Sequence, residues 1–169
     1  MPRARRLTEL EFNLPAAHLS ADALAALLHA HGHPVPALGF VVLEGYLRGF
    51  IDLVVEHQGR FFIIDWKSNH LGRTSADYRA ASLARAMHAH GYQLQYLLYA
   101  VALHRYLRER MPGYRFDEHF GGAIYLFVRG IRPGWAGADG VPAGVYCDRP
   151  SQQLVERLSA LFDAGGESR

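Results

Sequence analysis

Residues 46–69 read YLRGFIDLVVEHQGRFFIIDWKSN. Two β-rich runs, 46–56 and 60–67, flank Gln58-Gly59, a pair suited to a two-residue hairpin turn. Such a turn sets His57 opposite Arg60, Val54 opposite Ile63, and Asp52 opposite Asp65. Lys67 follows Asp65 by two residues and shares its side of the pleat. Register alone thus brings two carboxylates and one ammonium to one patch. Like charges placed opposite each other destabilise a sheet. The apolar neighbours Phe50, Ile51, Leu53, Phe61 and Ile63 raise that cost. Lys67 can offset one charge, and a divalent cation both. Oxygen donors with few histidines suit Mg²⁺, or Mn²⁺ as the alternative ion, better than Zn²⁺. Taken one residue at a time, an ordinary half-buried Asp–Lys ion pair at a strand end would be the preferred reading. The convergence of three groups favours a metal site.

Lys67 stands out for a second reason. It is the one lysine among 18 basic residues; the other 17 are arginines. No glycine-rich run precedes it, so a phosphate-binding Walker A loop is excluded. Arginine replaces lysine on most surfaces, but it cannot give up its proton in a protein. Lysine presents a compact point charge and shifts its pKa readily. Beside a cation it can orient or deprotonate an attacking water, or stabilise charge developing on a phosphorus centre.

The length of 169 residues fits one domain with a core. Half the residues are apolar and a fifth are charged, which excludes a disordered chain. A net charge of +2 does not by itself demonstrate a nucleic-acid partner. One cysteine, Cys147, allows no internal disulfide and fits a reducing compartment. No signal-peptide pattern and no membrane-length apolar run are visible, so the expectation is a cytoplasmic protein with no membrane contact.

Outward from the hairpin, residues 1–8 read as a flexible lead-in and 163–169 as a tail. A short strand is expected at 11–14, and a helix capped by Ser20 running to about Ala30. Strands are expected at 38–44, 123–128 and 145–147. Helices are expected at 76–89, at 92–110, and from Ser151 to about Phe162. The stretch 130–144, with five glycines and two prolines, reads as a long loop. The fold class is α/β, a mixed sheet flanked by helices.

Four blocks carry a resemblance: GFIDLV (49–54), DWKSN (65–69), LQYLLYAVALHRYLR (94–108) and HFGGAIYLFVRG (119–130). An Asp, a turn and Asp-x-Lys resemble the core of the PD-(D/E)XK nuclease superfamily, with its restriction-endonuclease-like fold. The four blocks together resemble the C-terminal nuclease domain found in RecB-type subunits of exodeoxyribonuclease V, over about 9–162. The resemblance implies that Asp52 and Asp65 bind Mg²⁺ and that Lys67 is catalytic. It implies that Gln95 and Tyr99, matching a Gln-x-x-x-Tyr motif at i and i+4 on one helix face, contact DNA phosphate or base. Glu11 matches an acidic residue on the family's early strand, as an additional site candidate. The implied partners are DNA, the RecC and RecD subunits, and the RecA recombinase, in double-strand-break repair. The chain departs from the family in one respect: a metal-ligand histidine expected upstream of the early strand is missing, since no histidine precedes Glu11.

Two functions from different classes follow. One is a metal-dependent deoxyribonuclease of exodeoxyribonuclease V type. The other is a catalytically impaired interaction module docking RecA or sister subunits. The remaining candidates have plainer readings. His29, His31 and His33 are expected exposed at a helix end, as are His88 and His90, and His70 solvated. Tyr46, Phe61, Phe62 and Trp66 are expected to pack in the core or hairpin. Arg73, Arg79, Arg85, Arg105, Arg108 and Arg110 are expected either to steer phosphates or to form a solvated face. Cys147 is expected to be inert.

Overall fold

The computed structural model describes residues 6–16, 18–136 and 140–164. Five strands form the main sheet in the order β1-β4-β5-β6-β7, comprising β1 (Arg6–Pro15), β4 (Tyr46–His57), β5 (Arg60–Lys67), β6 (Phe120–Phe127) and β7 (Val145–Asp148). Only the β5–β6 pairing is parallel; β1–β4, β4–β5 and β6–β7 are antiparallel. The mixed α/β class expected from the sequence is the class observed. A parallel pair needs a crossover, and here it carries a 3₁₀ turn (Ser75–Tyr78), α2 (Ala80–Ala89), α3 (Tyr92–Arg110) and the single turn α4 (Phe116–His119). Beside the sheet lie α1 (Ala21–Ala30), α5 (Gln152–Asp163) and a two-stranded ladder of β2 (Leu19–Ser20) with β3 (Val42–Leu43).

The hairpin forms as its sequence dictates. Gln58 and Gly59 have φ of 51° and 78°, the left-handed pair that a type I′ turn requires. His57 pairs with Arg60 and Val54 with Ile63, and the ladder continues to Leu53 opposite Ile64. β5 is the central strand, flanked by β4 and β6, and buries Ile63 and Asp65 on one face.

α3 is apolar on most of its circumference, the pattern of a helix buried on several sides. Tyr96, Leu97, Ala100, Val101 and Leu103 are all inaccessible. The helix touches β1, β5, β6, α2 and α5, and so spans the face of the sheet. Arg105 ties it to α5 through Ser159 Oγ (2.8 Å), Ser159 O (2.7 Å) and Asp163 Oδ1 (2.9 Å). Arg105 is therefore structural rather than available to DNA. Ser20 and Ser151 cap α1 and α5 by accepting from Ala23 N and Leu154 N, as expected.

Several expectations need correction. β1 starts at Arg6, so residues 6–8 belong to the sheet and not to a loose lead-in; residues 1–5 lie outside the described residues, as do 165–169 of the tail. The strand expected over 38–44 shrinks to Val42–Leu43, because its one partner is the two-residue β2. The helix expected from 76 is split at Arg79, whose extended backbone separates the 3₁₀ turn from α2. Tyr46 and Trp66 are exposed rather than packed, at 75% and 46%.

The loop over 130–144 is anchored by Gly144, with φ of 82°; its N–H donates to Tyr78 O and its carbonyl accepts from Phe127 N. A Cβ there would come within 2.7 Å of the Phe127 carbonyl oxygen, which is backbone and cannot step aside. Gly144→Ala is expected to cost about 2–3 kcal/mol, from left-handed strain and this clash together. A fall in the urea midpoint with unchanged slope would register it.

Candidate active site

The C-terminal end of β5 lies beside the C-terminal half of β6, with Asp65 paired to Tyr125 and Lys67 to Phe127. The end of a parallel strand, where the crossover leaves the sheet, is the usual place for a ligand in α/β folds. Here β5 delivers both members of an ion pair inward. Lys67 Nζ lies 2.7 Å from Asp65 Oδ2, and their side chains are only 12% and 3% exposed. Apart from that ion pair, Asp65 Oδ2 has no hydrogen-bond partner among the described residues. Burial raises the Asp65 pKa above the ordinary carboxylate range; the Lys67 ammonium opposes the shift, and the Asp52 charge adds to it.

Asp52 sits differently from the simple hairpin expectation. The β4–β5 ladder stops at Leu53–Ile64, so Asp52 and Asp65 are neighbours by charge and not a bonded cross-strand pair. Strict alternation also breaks here. The buried residues of β4 are Ile51 and Val54, three apart, which leaves Asp52 exposed. On the neighbouring strand, β1 pairs Thr8 with Leu53 and Leu10 with Ile51, while the intervening Glu9 takes a left-handed φ of 53°. The expected desolvation thus falls on one carboxylate, Asp65, and not on both.

α3 supplies the opposite wall. Gln95 Oε1 accepts from Lys67 Nζ (3.0 Å) and from Tyr125 Oη (3.1 Å), while Gln95 Nε2 donates to Tyr99 Oη (2.9 Å). The helical i, i+4 spacing of Gln95 and Tyr99 is what lets one side chain reach the other. Burial raises the pKa values of Tyr99 and Tyr125, with the Asp65 charge adding to both. Both phenols therefore stay neutral and keep their protons for donation. Aromatic faces complete the surroundings of Lys67: its Nζ is 4.1 Å from the Tyr92 ring centroid and 5.1 Å from that of Tyr125.

Asp65, Lys67, Gln95 and Tyr99 are thus joined by direct contacts, and the Asp52 charge acts on Asp65 and Tyr99. Glu11 is not brought in; its carboxylate pairs with Arg48 at 2.6 Å on the exposed side of β1 and β4. That is the ordinary strand-edge charge. Sequence reasoning missed Tyr92, Tyr125 and Asn69. Two of them carried a positional signal, since Tyr92 precedes Gln95 by three on the same helix and Asn69 follows Lys67 by two. Two of the histidines are more engaged than expected. His90 stacks on Tyr92, and His33 is half-buried with its Nδ1 3.2 Å from Tyr96 Oη.

The donor set fits a hard divalent cation. Mg²⁺ is typically held by one or two carboxylates, with the remaining positions left to water and phosphate. Asp65 offers a buried carboxylate whose Oδ2 is held only by the Lys67 ammonium among the described residues, and Asp52 an exposed carboxylate whose charge acts on Asp65. No cluster of three or more His, Cys, Asp or Glu side chains suited to a metal occurs among the described residues. A closed all-protein site of the zinc kind is therefore not built from them.

A mixed sheet whose central strand ends in Asp-x-Lys, opposite a second acidic strand, defines a class of metal-assisted phosphodiesterases. The sequence profile of the PD-(D/E)XK nuclease superfamily matches residues 4–164, and the chain belongs to that superfamily. Among individual proteins it is similar to the RecBCD enzyme subunit RecB of Escherichia coli (strain K12), with 42% identity over 158 residues, covering 91% of this chain and 13% of that protein. The RecB subunit of Haemophilus influenzae is 43% identical over 148 residues, covering 86% and 12%. That of Mycobacterium tuberculosis (strain CDC 1551 / Oshkosh) is 40% identical over 186 residues, covering 95% and 17%. The chain thus spans 12–17% of the length of these relatives.

Proposed function

We propose that this chain is a Mg²⁺-dependent DNA nuclease domain that hydrolyses phosphodiester bonds in the cytoplasm. In this reading it works as part of a RecBCD-type helicase–nuclease in double-strand-break repair and recombination, with RecC- and RecD-type subunits and RecA as partners. The observation that carries the catalytic reading is the buried Asp65 carboxylate, held by the Lys67 ammonium at 2.7 Å and disfavoured by the charge of Asp52. A structural ion pair alone has no need of the second carboxylate, which makes it less stable. Superfamily membership and the similarity to RecB subunits support the same reading.

The division of labour follows from the contacts. Asp52 and Asp65 would hold the cation, which when bound supplies positive charge to a phosphate oxygen. Lys67 directs a compact ammonium toward the reacting phosphate, where it stabilises developing negative charge or orients the attacking water. Gln95 holds Lys67 Nζ through a second contact, from its Oε1. Tyr99, with its proton still available, donates to a phosphate oxygen of the bound strand.

Two measurements test this. Linear duplex and single-stranded DNA should be degraded with Mg²⁺ or Mn²⁺, and Asp52→Ala and Asp65→Ala should each lose that activity by roughly 10²-fold or more. The cation should also raise the melting temperature of the intact chain, since a ligand at about 100 times its Kd stabilises by about 2.7 kcal/mol. That rise should vanish in Asp65→Ala. Cleavage unaffected by both substitutions, or a cation effect that survives them, would overturn the assignment.

A further inference from the structure

The role proposed for Lys67 requires its ammonium to stay in place when a cation arrives. The stem of lysine has four rotatable bonds, and ordering it costs up to about 2 kcal/mol of rotamer entropy. Three kinds of contact hold Nζ: the Asp65 carboxylate at 2.7 Å, Gln95 Oε1 at 3.0 Å, and the faces of Tyr92 and Tyr125. A cation on Asp65 competes directly for the first and repels the ammonium besides. It does not compete for an aromatic face, whose attraction for a cation strengthens when desolvated.

Tyr92 is the nearer ring, and it is held in place by its neighbours. Its Oη donates to Asn69 Oδ1 at 3.1 Å, and Asn69 Nδ2 lies 3.3 Å from His90 Nε2. The His90 ring stacks on it with centroids 5.3 Å apart and an interplanar angle of 25°; Tyr125 and Phe127 pack at 6.1 and 6.4 Å. Asn69 continues the segment that carries Lys67, and Tyr92 opens α3, which carries Gln95. One ring thus spans the two segments that must be aligned. Resting on the nuclease reading above, we propose that Tyr92 is the positioning residue for Lys67, its ring face holding the ammonium at the phosphate when the carboxylate is taken by the cation. The hydroxyl and Asn69 orient the ring, but the π face does the holding.

The test exploits the single lysine of the chain. With ¹³C-labelled lysine, Lys67 gives the only lysine ε-methylene resonance, and with Nζ 4.1 Å from the Tyr92 ring centroid the adjoining ε-methylene protons should be shifted upfield. That shift should persist on adding Mg²⁺, survive in Tyr92→Phe, and diminish in Tyr92→Leu, which replaces a half-buried ring by an apolar side chain without a π face. In DNA cleavage, Tyr92→Leu should lower kcat roughly 5–30-fold. Its KM should stay within about twofold, the pattern of an interaction lost in the transition state rather than in ground-state binding. Tyr92→Phe should retain most of the activity. Wild-type kcat in Tyr92→Leu, a Phe variant as impaired as the Leu variant, or an ε-methylene shift indifferent to the ring would each overturn the role of Tyr92. Lys67→Ala run in parallel separates the two ideas. If it keeps full activity, the nuclease reading of Lys67 falls and the positioning role falls with it. If it loses activity while Tyr92→Leu does not, only the positioning role is lost.

Discussion

Lys67→Arg is expected to lower DNA cleavage by roughly 10²–10³-fold while the chain stays folded. The substitution keeps the charge and changes only its shape. Nζ occupies a niche bounded by an Asp65 oxygen at 2.7 Å, a Gln95 oxygen at 3.0 Å and two ring faces. A guanidinium is longer, planar and unable to release a proton, so it cannot reproduce a compact ammonium aimed at one phosphate. The chain uses arginine at its 17 other basic positions, so the exception at 67 calls for such a reason. Single-turnover cleavage of labelled linear DNA with Mg²⁺, alongside circular dichroism, measures both halves of the claim. Activity within a few-fold of the parent would mean that charge alone suffices and that proton transfer or fine placement does not matter.

A second large effect concerns stability. Lys67→Met removes the one cation that, among the described residues, is bonded to the almost inaccessible Asp65 carboxylate. Breaking a buried ion pair from one side costs about 3–5 kcal/mol. The loss should depend on pH in a definite direction. The Asp65 pKa is already raised by burial, and removing the ammonium that opposes this raises it further. A carboxyl whose pKa is higher folded than unfolded favours the fold in its protonated form. That contribution is complete below the ordinary carboxylate range and is lost as pH rises through the raised folded value. The variant should therefore lie nearest the parent in mild acid and fall away toward neutral and alkaline pH. The double variant Asp65→Asn/Lys67→Met, with neither charge, should recover much of the loss and flatten the dependence. Urea midpoints across this pH range decide it, and a single variant least stable in acid would contradict the sign.

These expectations rest on features of unequal legibility. The hairpin and its register could be read directly, because Gln58-Gly59 sets the turn and a two-residue turn leaves one pairing. The same stretch placed Asp65 and Lys67 on one side of β5, since alternation holds over so short a span. Alternation failed one strand away. Nothing in 46–57 signals that Ile51 and Val54 would both be buried, because the irregularity involves Glu9 on β1, a partner 43 positions earlier than Asp52. The ion pair of Glu11 with Arg48 was not legible for a similar reason: it depends on the β1–β4 ladder. Gln95 and Tyr99 were found through resemblance. Their mutual hydrogen bond is local to the helix, but the bond from Lys67 to Gln95 spans 28 positions and that from Tyr125 spans 30.

By itself, then, the sequence determined the local chemistry: a type I′ hairpin, an Asp-x-Lys strand end, capped helices and a chain with one lysine. Turn conformation, side-chain alternation and capping act over a few residues, and they are written in those residues. The tertiary structure alone decided which carboxylate is buried, and which is left beside it in solvent. It also decided that Gln95, Tyr92 and Tyr125 close around Lys67. Those outcomes depend on α3 crossing the sheet and on β6 lying parallel to β5. Burial and long-range contact are set by the packing of whole elements, which no single segment encodes.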